Sequence, residues 1–157
     1  REDSQLPSNL QGVWNYLNNP PWGSDYHMNV NLQMNYWPTY STNLAECALP
    51  LIDYVDSLRE PGRITAAVYF GVESGAGEAN GFSAHTQNTP FGWTCPGWSF
   101  DWGWSPAAVP WIIQNCWEYY EYTKHHTLLE ETVYPLLVSA ARFITKCVEL
   151  DEEGKYR

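Results

Sequence analysis

The segment Asp25-Tyr26-His27-Met28-Asn29-Val30-Asn31-Leu32-Gln33-Met34-Asn35-Tyr36-Trp37-Pro38 alternates polar and apolar side chains. Extended, it would place His27, Asn29, Asn31, Gln33 and Asn35 on one face. An imidazole and a row of carboxamides offer neutral donors and acceptors of fixed orientation, suited to sugar hydroxyls or to aiming a water molecule. An Asn carbonyl accepts from water while its NH2 group is held by a neighbour. It is a feeble base unless a carboxylate polarises it, so an Asn pair in this role implies an acidic partner elsewhere. The competing reading of the same row is a polar edge strand or a ladder of Asx turns.

A second cluster runs from Gly81 through Phe82-Ser83-Ala84-His85-Thr86-Gln87-Asn88-Thr89-Pro90-Phe91-Gly92 to Trp93, and on to Trp98, Asp101, Trp102 and Trp104. Sugars present C–H faces that pack on indole and hydroxyl rims that bond to Asn, Gln, His and Asp, so this mixture is what a glycan cleft requires. For any single Trp, core packing is the competing reading. For the group, Gly and polar neighbours in a loop make a poor core. Other chemistries lack their signatures: the sequence has no G-x-S-x-G, no Gly-rich phosphate loop with Lys and no H-E-x-x-H. His125-His126 reads as a solvated turn, Glu73 and Glu78 as solvated side chains, and Asp151-Glu152-Glu153 as an exposed helix exit.

Composition narrows the partners. Eight basic against eighteen acidic residues leave a formal charge of −10, which argues against nucleic acid or an anionic membrane surface. No apolar run approaches the roughly 20 residues of a membrane span. With 44% hydrophobic and 17% charged residues the chain is globular, yet 16% are aromatic, including nine Trp. Some of these rings must serve more than packing. Cys47, Cys95, Cys116 and Cys147 show no C-x-x-C spacing, and three of them fall on apolar positions of helical patterns and read as small apolar fillers, with a disulfide left open. No metal site or cofactor is called for.

The elements that must position these residues are helical. Residues 1–42 read as a loop-rich opening stretch and 43–157 as helical hairpins. Asn43-Leu44-Ala45-Glu46 predicts an N-cap, with an apolar stripe at 44, 47, 48, 51, 52, 55 and 58 and Pro50 inside it. A second helix is predicted from about Pro61 to Phe70. Ser105-Pro106 opens a third, with its stripe at 109, 112, 113, 116, 117 and 120. Thr127 to Glu130 forms a capping box for a fourth reaching Leu150, kinked at Pro135. No period-2 strand is convincing, so the class is all-α, and the long irregular stretch 71–104 is its functional loop. The short link Lys124-His125-His126 makes an αα-hairpin, and aromatic loops gathered at one end favour an α/α barrel over a bundle. A first residue of Arg, with neither initiator Met nor signal peptide, reads as a piece of something longer.

Taken together, Leu6-Pro7-Ser8-Asn9-Leu10-Gln11-Gly12-Val13-Trp14-Asn15, Asn19-Pro20-Pro21-Trp22-Gly23, Tyr26 through Pro38, Ala84-His85-Thr86-Gln87-Asn88 and Trp102-Gly103-Trp104-Ser105-Pro106 resemble glycoside hydrolase family 95, the inverting α-L-fucosidases. The likeness is colinear over nearly all of the chain. It implies an (α/α)6 barrel, of which these would be the first helices, and hydrolysis of terminal α-1,2-linked L-fucose from glycans. Asn29 and Asn31 match the family's water-holding pair, and His27 matches a fucose-contacting histidine. His85, Asn88, Trp93, Trp102 and Trp104 are the further substrate-binding candidates. The family's acid, a Glu in a Pro-Glu context, and its supporting Asp have no counterpart before Arg157, so the fragment alone is expected to be inactive. Its implied partners are a fucosylated glycan and the remainder of its own catalytic domain, in an extracellular or cell-surface setting. An α-L-galactosidase of the same family and a non-catalytic glycan-binding helical module are the alternatives.

Overall fold

The computed structural model describes residues 4–12, 14–72, 81–97, 99–148 and 152–156. Glu73, Glu78, Trp98 and Asp151, considered above, lie outside them. The first regular elements are a two-residue strand, β1 (Tyr26–His27), and helix α1 (Asn31–Ser41). Here the alternating pattern of 25–38 resolves differently from its extended reading. Burial falls on Leu32, Gln33, Tyr36, Thr39 and Tyr40, a helical spacing, while Asn31 and Asn35 share the exposed face. Only His27 keeps the extended geometry, so the five polar residues do not form one row. Large apolar rings spaced four apart outweighed the period of two, because tertiary burial decides between periods in a short segment.

Asn43 is also reassigned. It adopts a left-handed conformation (φ 59), its N–H donates to Tyr40 O, and Leu44 N–H donates to Thr39 O at 2.8 Å. Asn43 therefore closes α1 in a Schellman turn instead of opening the next helix, a conformation Asn tolerates better than most residues. A 3-10 turn (Ala45–Ala48) leads into α2 (Leu49–Ser57), where Pro50 occupies the first turn and costs no hydrogen bond. Helix α3 (Arg59–Phe70) follows almost directly and stops at Gly71, whose positive φ (65) closes it.

After the loop come a second two-residue strand, β2 (Gln87–Asn88), and the short α4 (Phe100–Gly103). Strand β2 pairs antiparallel with β1, Tyr26 opposite Asn88 and His27 opposite Gln87, a small sheet that the sequence reading had not foreseen. Helix α5 (Ala108–Thr123) is the central packing element, touching α1, α2 and the chain's last helices. Its stripe holds at Val109, Ile112, Ile113 and Cys116, whereas Trp117 is half-exposed and Tyr119 takes the buried position. The return leg is α6 (His126–Leu128), one π-helical stretch (Leu129–Val133) and α7 (Tyr134–Cys147). Pro135 has no N–H to give Glu131, and the preceding turn widens so that Tyr134 N–H reaches Leu129 O. The cap is His125, whose Nδ1 accepts from Leu128 N–H at 3.1 Å, in place of the Thr127 capping box.

The main core is built from Met28, Leu32 and Tyr36, from Leu51, Ile52, Val55 and Leu58, and from Ile112, Ile113, Val133 and Leu136, and a second, smaller cluster packs Ala66 and Phe70 of α3 with Phe143 and Ile144 of α7. The result is an all-helical fold carrying one small open sheet. The opening stretch is stitched on by Leu10 N–H to Asp25 O and Ser8 N–H to the Tyr36 hydroxyl, yet Trp14 and Tyr16 project from it, about 90% exposed. All four cysteines are free thiols. Among the described residues no helix is long and apolar enough to cross a membrane.

Candidate active site

The pairing of β1 with β2 brings the two candidate segments of the sequence together. Met28 N–H donates to Thr86 O at 2.7 Å, extending the pairing by one rung. Thr86 in turn binds the short helix twice, from its N–H to Gly103 O and from its hydroxyl to Trp102 O. Trp102 is thereby carried over β1, its ring 5.9 Å from that of His27. Trp22 completes a triangle, edge-on to both His27 (6.3 Å) and Trp102 (6.2 Å). The turn that delivers Trp22 has three successive positive φ angles, at Trp22, Gly23 and Ser24. Two are not glycine, which is local strain of the kind that accumulates at functional sites.

Asn29 and Asn31 follow His27 through the turn into α1. Both are exposed, and neither side chain is hydrogen-bonded to any described residue. They lie two and four residues after His27. His27 is buried, with Nε2 2.7 Å from Asp25 Oδ1. Asp25 also accepts from the Gln87 side-chain amide.

The remaining candidates divide sharply. His85 is fully enclosed, stacked on Trp104 at 4.9 Å and near-parallel to Phe70 at 5.9 Å. Its Nδ1 accepts from Ser105 N–H at 2.9 Å, the His85 backbone N–H donates to Thr94 O, and the ring Nε2 is buried without a partner among the described residues. Burial lowers its pKa to about 4, so the ring is neutral near pH 7, with the proton on Nε2. Asn88 is fully buried and has both ends of its amide in use, accepting from the Tyr54 hydroxyl and donating to His85 O at 3.2 Å. These two residues build the loop that carries Trp102 and Trp104; in this geometry neither presents a polar atom to a glycan. Trp104 is stacked on His85, Phe70 and Phe100 and remains partly exposed. Trp93 is half-exposed in the turn after Thr89 and is stacked on no ring of the triangle among the described residues.

Asp25, Gln87 and Trp22 were not picked out as site residues by reading the sequence. For Asp25 a signal existed: on extended backbone a residue two before His27 leaves the same face. Gln87 and Trp22 depend on loop pairing that no local pattern encodes. A larger hollow, about 1150 Å3, lies between the opening stretch and α1, bordered by Leu6, Trp14, Tyr36, Thr39 and Cys47. Of the polar row read in 25–38 it takes only Asn35, and most of its wall is carbon, so chemistry favours the ring triangle over size. Among the described residues no three His, Cys, Asp or Glu side chains converge as a metal site.

The all-helical fold thus holds Trp22, His27 and Trp102 in mutual ring contact, with the Asn29 and Asn31 side chains exposed just after them in sequence. The family model described as the glycosyl hydrolase family 95 catalytic domain matches residues 1–157, and the chain belongs to that family. It is 38% identical over 148 residues to "Alpha-L-fucosidase 2" of Arabidopsis thaliana, covering 94% of this chain and 17% of that protein. It is 34% identical over 151 residues to "Probable alpha-fucosidase A" of Aspergillus niger, covering 96% and 18%. A like-named protein of Aspergillus oryzae matches over 92 residues at 39% identity, 58% of this chain and 12% of its own. The chain therefore spans less than a fifth of the curated relatives it matches.

Proposed function

We propose that this chain is the water-positioning and sugar-gripping part of an inverting α-L-fucosidase acting on terminal α-1,2-linked fucose. In the complete polypeptide it forms the first helices of an (α/α)6 barrel. What supports the reading is the pairing of residues 26–28 with 86–88, which joins His27, Trp22 and Trp102 in ring contact, with the exposed Asn29 and Asn31 following His27 in sequence. In this mechanism the indoles pack against the apolar face of the sugar. The carbonyl oxygens of Asn29 and Asn31 accept from a water and so turn its lone pair toward the anomeric carbon.

Inversion needs a second half. An acid must protonate the leaving oxygen while a base-side group about 6.5–9.5 Å away activates the water. A carboxamide pair aims the nucleophile but does not take its proton strongly, and the family resemblance implies that a Glu acid and an Asp behind the amides lie beyond residue 157. Secretion or display at the cell surface, where fucosylated glycans occur, is the corresponding proposal for location. The test is anomer-resolved NMR of 2′-fucosyllactose hydrolysis. The complete polypeptide is expected to release fucose first as the β-anomer, and the 157-residue chain alone to release none. Retention of configuration, or release by the short chain, overturns the proposal.

A further inference from the structure

Asp25 and His27 leave the same face of the β1 backbone, and their side chains are only 11% and 9% exposed. Oδ1 of Asp25 lies 2.7 Å from His27 Nε2, while Oδ2 accepts from the Gln87 amide. Because Gln87 stands opposite His27 in the strand register, the carboxylate is gripped from both strands of the sheet. Two bare lone pairs at that separation would repel, so the shared proton belongs on Nε2. The N–H axis and the carboxylate are not aligned into a linear bond, as in sites whose hydrogen bonds tighten only around a ligand. In the neutral ring, a proton on Nε2 makes Nδ1 an acceptor. Nδ1 is bonded to no described residue and is not among the sealed unpaired atoms.

We infer that Asp25 is a positioning residue that fixes His27 in its Nε2–H form, so that Nδ1 accepts a hydroxyl hydrogen from the bound sugar. Histidine is thus used as a reader of a hydroxyl donor, and Trp22 and Trp102 pack together against its ring. Gln87 is a second support, since without it Oδ2 would be a buried acceptor lacking a donor. The choice of sugar as ligand rests on the proposed function; the tautomer does not.

The experiment uses the complete polypeptide labelled with 15N-histidine, with His27 assigned by its loss in His27→Asn. Two-bond proton–nitrogen spectra are expected to show Nε2 protonated and Nδ1 bare. Asp25→Ala is expected to lose that pattern and to raise KM for 2′-fucosyllactose roughly tenfold, with kcat changing much less, the size of one charge-assisted hydrogen bond. Asp25→Asn, whose carbonyl still accepts from Nε2 while Gln87 turns its amide to match, is expected to keep the tautomer and recover most of the affinity. A protonated Nδ1 in active wild-type protein, or an unchanged tautomer and KM in Asp25→Ala, overturns the inference. Equal losses in the Ala and Asn variants also overturn it. If the wild type shows the Nε2–H form but cleaves no fucoside, the proposed function fails and the positioning stands.

Discussion

His85 and Asn88 illustrate how a residue of functional type can be consumed by the scaffold. Both lie in a His-Thr-Gln-Asn run that reads as a sugar-contacting rim, yet both are sealed and hold the loop in shape. The cost of His85 is visible in its ionisation. Its folded pKa, lowered to about 4 by burial, sits below the ordinary value of 6.5. Between those values the unfolded chain binds a proton that the folded one refuses, so this residue's contribution to stability is lost as pH falls from about 6.5 to about 4. The size is on the order of 3 kcal/mol at most. Chemical denaturation of the complete protein across that window should show the loss. His85→Asn, which keeps an acceptor for Ser105 N–H but cannot titrate there, should show a flatter slope although it is less stable at pH 7. An equal slope in the two proteins would remove His85 as the cause. Half-buried Asp56 and Glu118 have raised carboxyl values and act with the opposite sign, so only the difference between the two proteins isolates the histidine.

At the level of elements, the rim depends on a loop laid against itself without room for side chains. A Cβ on Gly103 would fall 1.7 Å from Pro96 O, and the same glycine's carbonyl accepts from Thr86 N–H. Gly103→Ala must therefore displace the backbone between Trp102 and Trp104. We expect a stability loss of at least 1–3 kcal/mol, typical of overpacking, together with weaker sugar binding. Thermal unfolding and a glycan-binding isotherm on the purified variant check this; wild-type values for both would mean that the loop packs otherwise. Gly81 is comparably tight against the Phe143 backbone, whereas Gly71 meets nothing and serves only its left-handed turn.

The same scale shows what could be read from residue order. Apolar stripes located α2, α3 and α5 because each buries one face, and their ends were misjudged wherever a local cap competed. Asn43 carries the composition of an N-cap but ends the helix before it. Thr127 and Glu130 look like a capping box, while His125 reaches Leu128 first. The 25–38 segment satisfied two periods, and only the core opposite Leu32, Tyr36 and Tyr40 chose between them. The Asp25–His27–Gln87 contact depends on β1 meeting β2 across about sixty residues of chain, information absent from any local window. By contrast, the amide, imidazole and indole types stood out by composition alone, although composition did not tell the buried ones, His85 and Asn88, from the exposed Asn29 and Asn31.

On the scale of the whole molecule, the exposed rings have a common explanation. Trp14, Trp37, Trp111, Trp117 and Tyr134 are too large and too open for a self-contained domain of this size. They match a chain that covers 17–18% of its two longer-matching relatives and that, in our proposal, packs against the remaining helices of its barrel. On this account the described helices supply the nucleophile's guide, and later helices supply the proton. The measurement that bears most directly on that division is steady-state turnover of 2′-fucosyllactose by the complete polypeptide carrying Asn29→Gly or Asn31→Gly. If the amides aim the attacking water, each change should lower kcat by roughly a hundredfold or more while KM stays within roughly tenfold. Turnover within a few-fold of wild type in both variants would contradict it.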